Sequence, residues 1–511
     1  MIAATTLNPA TLSRDPDTLI KMLLEISEKL QNREQYILRL QHMVGKFQRW
    51  QFGQKSERID EGQKIFDFYG TIEAEKPAEE KEEAAPRART RPKRGGYRVI
   101  PKDIPRKVVT LDLAEHEKNC RKCGTMRRLI GYEETKQLDY HPASFFETIT
   151  RRAKYACDPC AGQVQTAPLP TPLGPIEKGL PGFGLLANVL VAKYCDHLPL
   201  YRQSKIYLRH GVEIPRSTLC NWVGQAVALL EPIVAAMKED IFLSRIIQTD
   251  DTVVRLLVPG LGRTAQARLW GYLGDPLHNQ VVYQFTPDRK QEHPIGFIGN
   301  FKGSIQADAY KGYDRLFVAG SERTELGCWA HDRRYWYDAR DTDPERASVA
   351  LGYIRLLYAV EAEAVAMTPA AHALLRREKS LPILNALKKW LDQESYKILP
   401  RSPMGEAFHY TLAQWQALTR YVEDGEASID NNAMERTLRG VAIGRKNYLF
   451  AWSEAGGRWM AIAYSMIESC KLNALDPYRY LKDVFRRVWT HPASKIKELM
   501  PRLWKPPPEG T

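Results

Sequence analysis

The chain has 511 residues, 44% apolar and 26% charged, with a formal charge of +13 at pH 7. That length exceeds one core and calls for several domains, and the composition excludes a chain disordered throughout. The basic balance favours an acidic partner, nucleic acid first. With no signal-peptide start and no long apolar run, the expectation is a cytoplasmic protein without a membrane partner.

Residues 16–60 read as a coiled-coil, oligomerisation segment. Leu23, Leu30, Ile37 and Val44 recur every seven residues, and Leu19, Ile26, Leu40 and Phe47 form the companion series, interrupted by Arg33. About four such heptads predict self-association, although one amphipathic helix packed on its own domain shows the same pattern. Residues 71–96 form a charged linker, acidic in "TIEAEKPAEEKEEAAP" and basic in "RARTRPKRGG". Neither half buries enough apolar surface to fold alone.

Residues 97–168 contain "CRKC" and "CDPC". Two short knuckles each deliver two thiolates, so Cys120, Cys123, Cys157 and Cys160 are candidate ligands of a structural Zn2+. A duplicated spacing without an export signal argues against disulfides. Residues 183–240 resemble a helix-turn-helix: a short helix, a turn at Gly211, then Pro215-Arg216-Ser217 opening a second helix. Arg216, Ser217, Thr218 and Asn221 are its candidate DNA contacts, and a plain helical pair gives the same pattern.

From 241 to 338 the pattern changes to strands, at 245–258, 267–275, 280–288, 303–310 and 324–331. Two share a signature: "IQTD" ends at Asp250 and "IQAD" at Asp308. Open sheets place reactive residues at the C-terminal ends of their strands, and alternation puts each glutamine on the face of its aspartate. Amphipathic helices follow in 339–425. Then "SIDNNAMERTLRG" sets a turn-like start, with Asp430 or Asn431 as cap, before Glu435. Two aspartates and a glutamate are hard ligands suited to Mg2+ or Mn2+, provided they converge. Arg333, Arg334, Arg436, Arg439, Arg445 and Lys446 are candidate phosphate contacts around them. Cys328 and His331 in "CWAH" offer only two metal ligands, so packing or hydrogen bonding is their expected role. Residues 491–511 read as a C-terminal tail.

Several blocks together resemble the insertion sequence sixty-six family of bacterial transposases. They are "FGQKSERI", the cysteine pairs, "KYCDHLPLYRQSKIYLRHGVEIPRSTLCNWV", "TDDTVV", "QADAYKGYD", "CWAHDRR", "IDNNAMERTLRGVAIGRKNYLF" and "SCKLNALDPYRYLKDV". The resemblance implies a multidomain α/β protein with a ribonuclease H-like core in two parts, 241–338 and 426–490, around a helical insertion. It implies a DDE transposase that cleaves 3′ ends of its element and joins them to target DNA with divalent metal. Asp250, Asp308 and Glu435 match the three catalytic acids. Where the family shows Asp-Glu-Thr this chain has Asp250-Asp251-Thr252, which leaves Asp251 as a rival for the first position. The repeated Ile-Gln-x-Asp pattern favours Asp250. Accessory proteins of the same element are possible partners. A non-catalytic DNA-binding regulator and a hydrolytic nuclease without joining are the alternatives.

Overall fold

The computed structural model describes residues 15–52, 144–151, 153–155, 165–166, 174–176, 179–258, 260, 262–318 and 320–507. The linker at 71–96 and the paired cysteines, Cys120, Cys123, Cys157 and Cys160, lie outside them. The chain divides into two compact units: Met1–Lys55 with Ile149–Thr511, and Ser56–Thr148. Of the second, residues 144–148 are described and carry no regular element.

Helix α1 spans Pro16–Phe52. The Asp15 carboxylate accepts from the Thr18 amide at 3.1 Å and caps its start. Along the heptad stripe Leu23, Leu30, Ile37 and Leu40 stay exposed. A two-residue ladder pairs β1 (Lys154–Tyr155) with β2 (Gln165–Thr166) in antiparallel register.

Helices α2 (Phe183–Tyr194), α3 (Leu200–Arg209) and α4 (Arg216–Ile241) follow. Gly211, at φ +82°, makes the turn that ends α3, a conformation costly for any side chain. Residues 183–240 do not stand apart. Although α4 is long and apolar enough by composition to cross a bilayer, half of that window is buried in the fold. Its Leu230, Ile233 and Met237 are core residues.

Strands β3 (Ile246–Leu257), β4 (Thr264–Leu273), β5 (Val281–Thr286), β6 (Gly303–Gln306) and β7 (Arg323–Leu326) form one sheet, with α5 (Glu292–Ile298) between β5 and β6. Their order is β5-β4-β3-β6-β7. β3–β4 and β4–β5 are antiparallel, while β3–β6 and β6–β7 are parallel. All five expected strands are present, but the last two stop early. β6 ends at Gln306, and β7 ends before Gly327, so that Cys328 opens a helix instead of extending a strand.

The remaining helices are α6 (Trp329–Ala339), α7 (Pro344–Glu363), α8 (Pro369–Leu375), α9 (Leu381–Glu394), α10 (Pro403–Ala413), α11 (Trp415–Thr419), α12 (Asn432–Asn447), α13 (Glu454–Leu472) and α14 (Pro477–Arg487). Helices α6 to α11 form a lobe with its own core, including Trp329, Trp336, Leu357, Leu387 and Phe408. Both edges of the sheet are covered. On β5 the amides of Val281 and Tyr283, two residues apart, donate to Ser469 Oγ (2.9 Å) and Ser465 Oγ (2.8 Å), one turn apart on α13. On β7 Arg420 Nη1 donates to the Glu325 carbonyl at 2.7 Å. Such cover prevents the edges from pairing with another chain.

Three features of the helical region depart from the sequence reading. In the amphipathic region read over 339–425, the run "MGEAFHYTLAQWQALTRYV", one helix by its pattern, breaks at Gln414 into α10 and α11. A π turn at Arg376–Ser380 follows α8, and neither was anticipated. Residues expected to form a loose tail pack instead: Arg502 pairs with buried Asp240 at 2.6 Å, Trp504 Nε1 donates to Asp483 at 2.7 Å, and Met500 is buried.

The π turn presents Arg376, a guanidinium 1% exposed. It donates to Glu361 Oε1 (2.9 Å) and Oε2 (2.6 Å) and to the carbonyls of Tyr421 (2.8 Å), Asp424 (2.7 Å) and Ala427 (2.9 Å). All five donors of the fork are used, and three of them fix the chain leading into α12. Replacing Arg376 by Met strands Glu361 and three carbonyls in the interior. The expected cost is about 3–5 kcal/mol in chemical unfolding; a loss under about 1 kcal/mol would show the hub to be dispensable.

Candidate active site

β3 and β6 are parallel neighbours with Gln248 opposite Gln306. The two "IQ" pairs are therefore in register, and Asp250, within β3, lies beside Asp308, two residues past the end of β6. Gln248 Nε2 donates to Gln306 Oε1 at 2.7 Å and to the Asp430 carbonyl at 3.3 Å. Gln306 Nε2 donates to the carbonyls of Gly327 (3.0 Å) and Ser428 (2.8 Å). One amide pair thus joins two strands to the segment that starts α12.

That segment is polar because its side chains work as fasteners. Asp430 caps α12, accepting from the Asn432 amide at 3.0 Å, while the helix-start residue Asn431 makes no side-chain cap bond. Asn431 Nδ2 instead donates to the Thr249 carbonyl at 2.9 Å, and its amide donates to Cys328 Sγ at 3.2 Å. Tyr358 of α7 adds a hydroxyl to Asp430 at 2.7 Å. α12 then lies on β3 and β4, where Gly271, paired with Asp250, leaves room for Met434. A Cβ there would meet Met434 Cε at 2.1 Å, so the methionine beside Glu435 would have to shift its side chain.

The result is three carboxylates close enough to feel one another. Burial, joined by the charges of Asp308, Asp251 and Glu435, pushes Asp250 up to about 8 against the Asp251 amide, which donates to it at 2.7 Å. The donor atoms of Asp250, Asp251 and Asp308 lie within 4.8 Å of one another. Asp251 is differently placed. Its side chain, 1% exposed, is held by Arg268 (2.9 Å) and Arg289 (2.7 Å). Arg289 also approaches Asp308 at 3.5 Å and stacks on Tyr310, 3.9 Å from its ring centre. Ala309, following Asp308, sits at φ +58°, a strained setting that lets Asp308 Oδ1 accept the Tyr310 amide at 3.2 Å. Glu435 Oε1 has no hydrogen-bond partner although buried; His331 Nδ1 is 3.6 Å from it and Arg334 3.9 Å from Oε2.

Asp250 and Asp308 present oxygen donors suited to a hard divalent cation, whereas the expected third acid, Glu435, is not within 4.8 Å of both and groups instead with Cys328 and His331. Of the candidate phosphate contacts, Arg334, Arg436, Arg439 and Lys446 are exposed. Arg333 is half-buried beside Tyr337. Arg445 is turned inward, its guanidinium donating to the Val253 carbonyl of β3, because α12 packs along that strand. Arg216, Ser217 and Asn221 are exposed at the start of α4, with Thr218 half-buried. Arg202 of α3 donates to Asn447 at the end of α12, 3.2 Å away. Sequence reasoning missed Arg289, Arg268 and the bonding of the two glutamines. No local motif marks the arginines, whereas the repeated glutamines were in plain view.

The models of one family cover most of the chain. "Transposase IS66 family" matches residues 178–459, "IS66 C-terminal element" 465–502, and "zinc-finger binding domain of transposase IS66" 117–161, a span holding Cys120, Cys123, Cys157 and Cys160. A zinc-finger domain there supports a structural zinc. "Transposase C of IS166 homeodomain" matches 39–109, over a stretch read from sequence as coiled coil and linker. Among similar proteins, y4qI of Sinorhizobium fredii, titled uncharacterized, is 37% identical over 75% of this chain and 73% of its own. A second from the same organism, y4hP, is 30% identical over 79% and 76%.

The pH response of the fold tests the carboxylate cluster. Asp250 is protonated more readily folded than unfolded, so its contribution is complete below its ordinary value of 3.8 and is lost as pH rises towards about 8. In buffer free of divalent cations, Asp250→Asn should gain thermal stability over wild type as pH rises from about 5 to 8. Added Mg2+ should raise the melting temperature of wild type alone. A pH-independent difference would mean that Asp250 is not held among like charges.

Proposed function

The chain belongs to the IS66 family of transposases, and from that premise we propose that it is a DDE-type DNA transposase whose catalytic acids are Asp250, Asp308 and Glu435. The observation that carries this reading is the paired register of Gln248 with Gln306, which brings Asp250 beside Asp308. The charge of Glu435, delivered on α12, acts on Asp250 as well. A sheet ordered β5-β4-β3-β6-β7 with β4 antiparallel to β3 supports a ribonuclease H-like core with α7 to α11 as its insertion. Asp251, occupied by two arginines, serves the scaffold.

In this reading the three acids would hold Mg2+ or Mn2+, which supply charge neutralisation at the scissile phosphate and an activated water or 3′-hydroxyl. The protein's own part is positioning. Arg289 sits over Tyr310 and reaches both Asp251 and Asp308. Arg334, Arg436 and Arg439 offer phosphate contacts without base readout. No side-chain nucleophile is required, because phosphoryl transfer depends on alignment and electrostatics. The zinc finger, the homeodomain match and the exposed start of α4 would bind element ends. Self-association along the exposed stripe of α1 would hold two ends in one assembly.

Two measurements test the proposal. Asp308→Ala should retain binding to labelled element ends but lose cleavage and the joining of precut ends by at least about a hundredfold. Equal cleavage by wild type and variant refutes the catalytic assignment of Asp308; binding without cleavage by either points to a regulator, and cleavage without joined product to a nuclease. Arg436→Ala and Arg439→Ala should each weaken binding equally for all sequences and lower the salt slope by about 1. An unchanged slope would remove that face from the DNA path.

A further inference from the structure

Cys328 and His331 offered too few ligands in the sequence, and the fold supplies the third. The Cys328 thiol, a His331 ring nitrogen and a Glu435 oxygen all lie within 4.8 Å of one another. Cys328 Sγ is 3.2 Å from His331 Nδ1, which is 3.6 Å from Glu435 Oε1. Around one tetrahedral cation, with metal–sulfur bonds of about 2.3 Å and metal–nitrogen or –oxygen bonds of about 2.0–2.2 Å, ligand atoms stand about 3.3–3.6 Å apart. With sulfur pairs at the upper end of that range, the sulfur–nitrogen spacing is shorter and the nitrogen–oxygen spacing longer than ideal by a few tenths of an ångström, an adjustment that side-chain rotation supplies. Two independent observations point the same way: among the described residues Glu435 Oε1 is buried without a hydrogen-bond partner, and the Asn431 amide already donates to Cys328 Sγ, fixing the sulfur in place.

We infer that Cys328, His331 and Glu435 form a second site, for a thiophilic divalent cation such as Zn2+, and that filling it draws Glu435 away from Asp250 and Asp308. The inhibitory half of this statement rests on the catalytic reading above; the site itself does not. A thiolate, an imidazole and a carboxylate with one open position suit Zn2+ or Co2+, whereas Mg2+ avoids sulfur. Binding forms a sulfur–metal bond, breaks the Cys328 S–H bond and releases its proton to solvent, with no redox change. Glu435 would thereby answer to two cations of opposite preference.

The test uses the full chain with its zinc finger filled. Added Co2+ should give wild type a thiolate-to-cobalt charge-transfer absorption beyond that of the finger, and Cys328→Ser should lack the extra equivalent. Serine keeps an acceptor for the Asn431 amide, and the cobalt stoichiometry of wild type decides the matter even if the variant fails to fold. In Mg2+-dependent cleavage of element ends, free Zn2+ should inhibit wild type saturably, and the inhibition constant should rise by about tenfold or more in Cys328→Ser and in His331→Asn. No cobalt beyond the finger's share, with equal zinc response in all three proteins, overturns the site while leaving the catalytic reading intact. Extra cobalt bound by a wild type that never cleaves with Mg2+ upholds the site and overturns both the catalytic reading and the inhibition.

Discussion

One amide pair carries the arrangement of the whole site. Gln248 and Gln306 sit opposite each other on adjacent parallel strands and spend their side chains on each other and on the carbonyls of Gly327, Ser428 and Asp430. The slanted bonds of the parallel β3–β6 ladder stop at these residues. Beyond that point β6 has no ladder to fix Asp308, two residues further on, while β3 continues and pairs Asp250 with Gly271 of β4. Glutamine is the residue that fits, because its amide both accepts from a neighbour and donates twice. The bonds that close the strand ends also seat the start of α12. The distance between Asp308 and Glu435 along the chain therefore matters less than it looks in the sequence.

The legible parts of the molecule follow from local rules. Five β-rich runs separated by Gly, Pro and Asp gave the sheet, and the repeated Ile-Gln-x-Asp gave the two strand-end acids, because the alternation of a strand can be read from one chain. Which strands adjoin is a tertiary fact, so the contact of Asp250 with Asp308 was an inference and not a reading. The break at Gly327 was legible but outweighed by the aromatic run after it, which made Cys328 and His331 look like strand residues. Arg376 and Arg289 were not legible at all. Each is one basic residue among 74 in a chain of net positive charge, and what distinguishes it is burial against partners distant in sequence. Arg445 failed for the same reason in the other direction: a basic residue next to Lys446 looked solvent-facing until α12 was laid against β3.

Repulsion among Asp250, Asp308 and Glu435 is a local cost, and Ala309 in a left-handed setting adds to it. Such costs persist only where the surroundings overdetermine the geometry. The surroundings here do so at four points: Arg268 and Arg289 on Asp251, Tyr358 on Asp430, Asn431 on Thr249, and Gly271 beneath Met434. They fix the backbone on which Asp250, Asp308 and Glu435 stand.

The insertion lobe belongs to the same logic. A helical segment placed between β7 and α12 could swing freely and carry Glu435 with it, unless its exit were tied to its interior. Arg376 makes that tie, binding the carbonyls of Tyr421, Asp424 and Ala427 from a π turn that widens the helix enough to aim the guanidinium inward. Arg420, one residue before the first of these, fastens the same strip to the edge of β7. The strip is thus held by the lobe, by the sheet edge and by the glutamine pair, each through a donor that water would otherwise have to replace. With three independent anchors, Glu435 has little freedom left except rotation of its own side chain. That rotation, from the thiol and imidazole beside which Glu435 lies towards the aspartates, is all that serving two cations would ask of the fold.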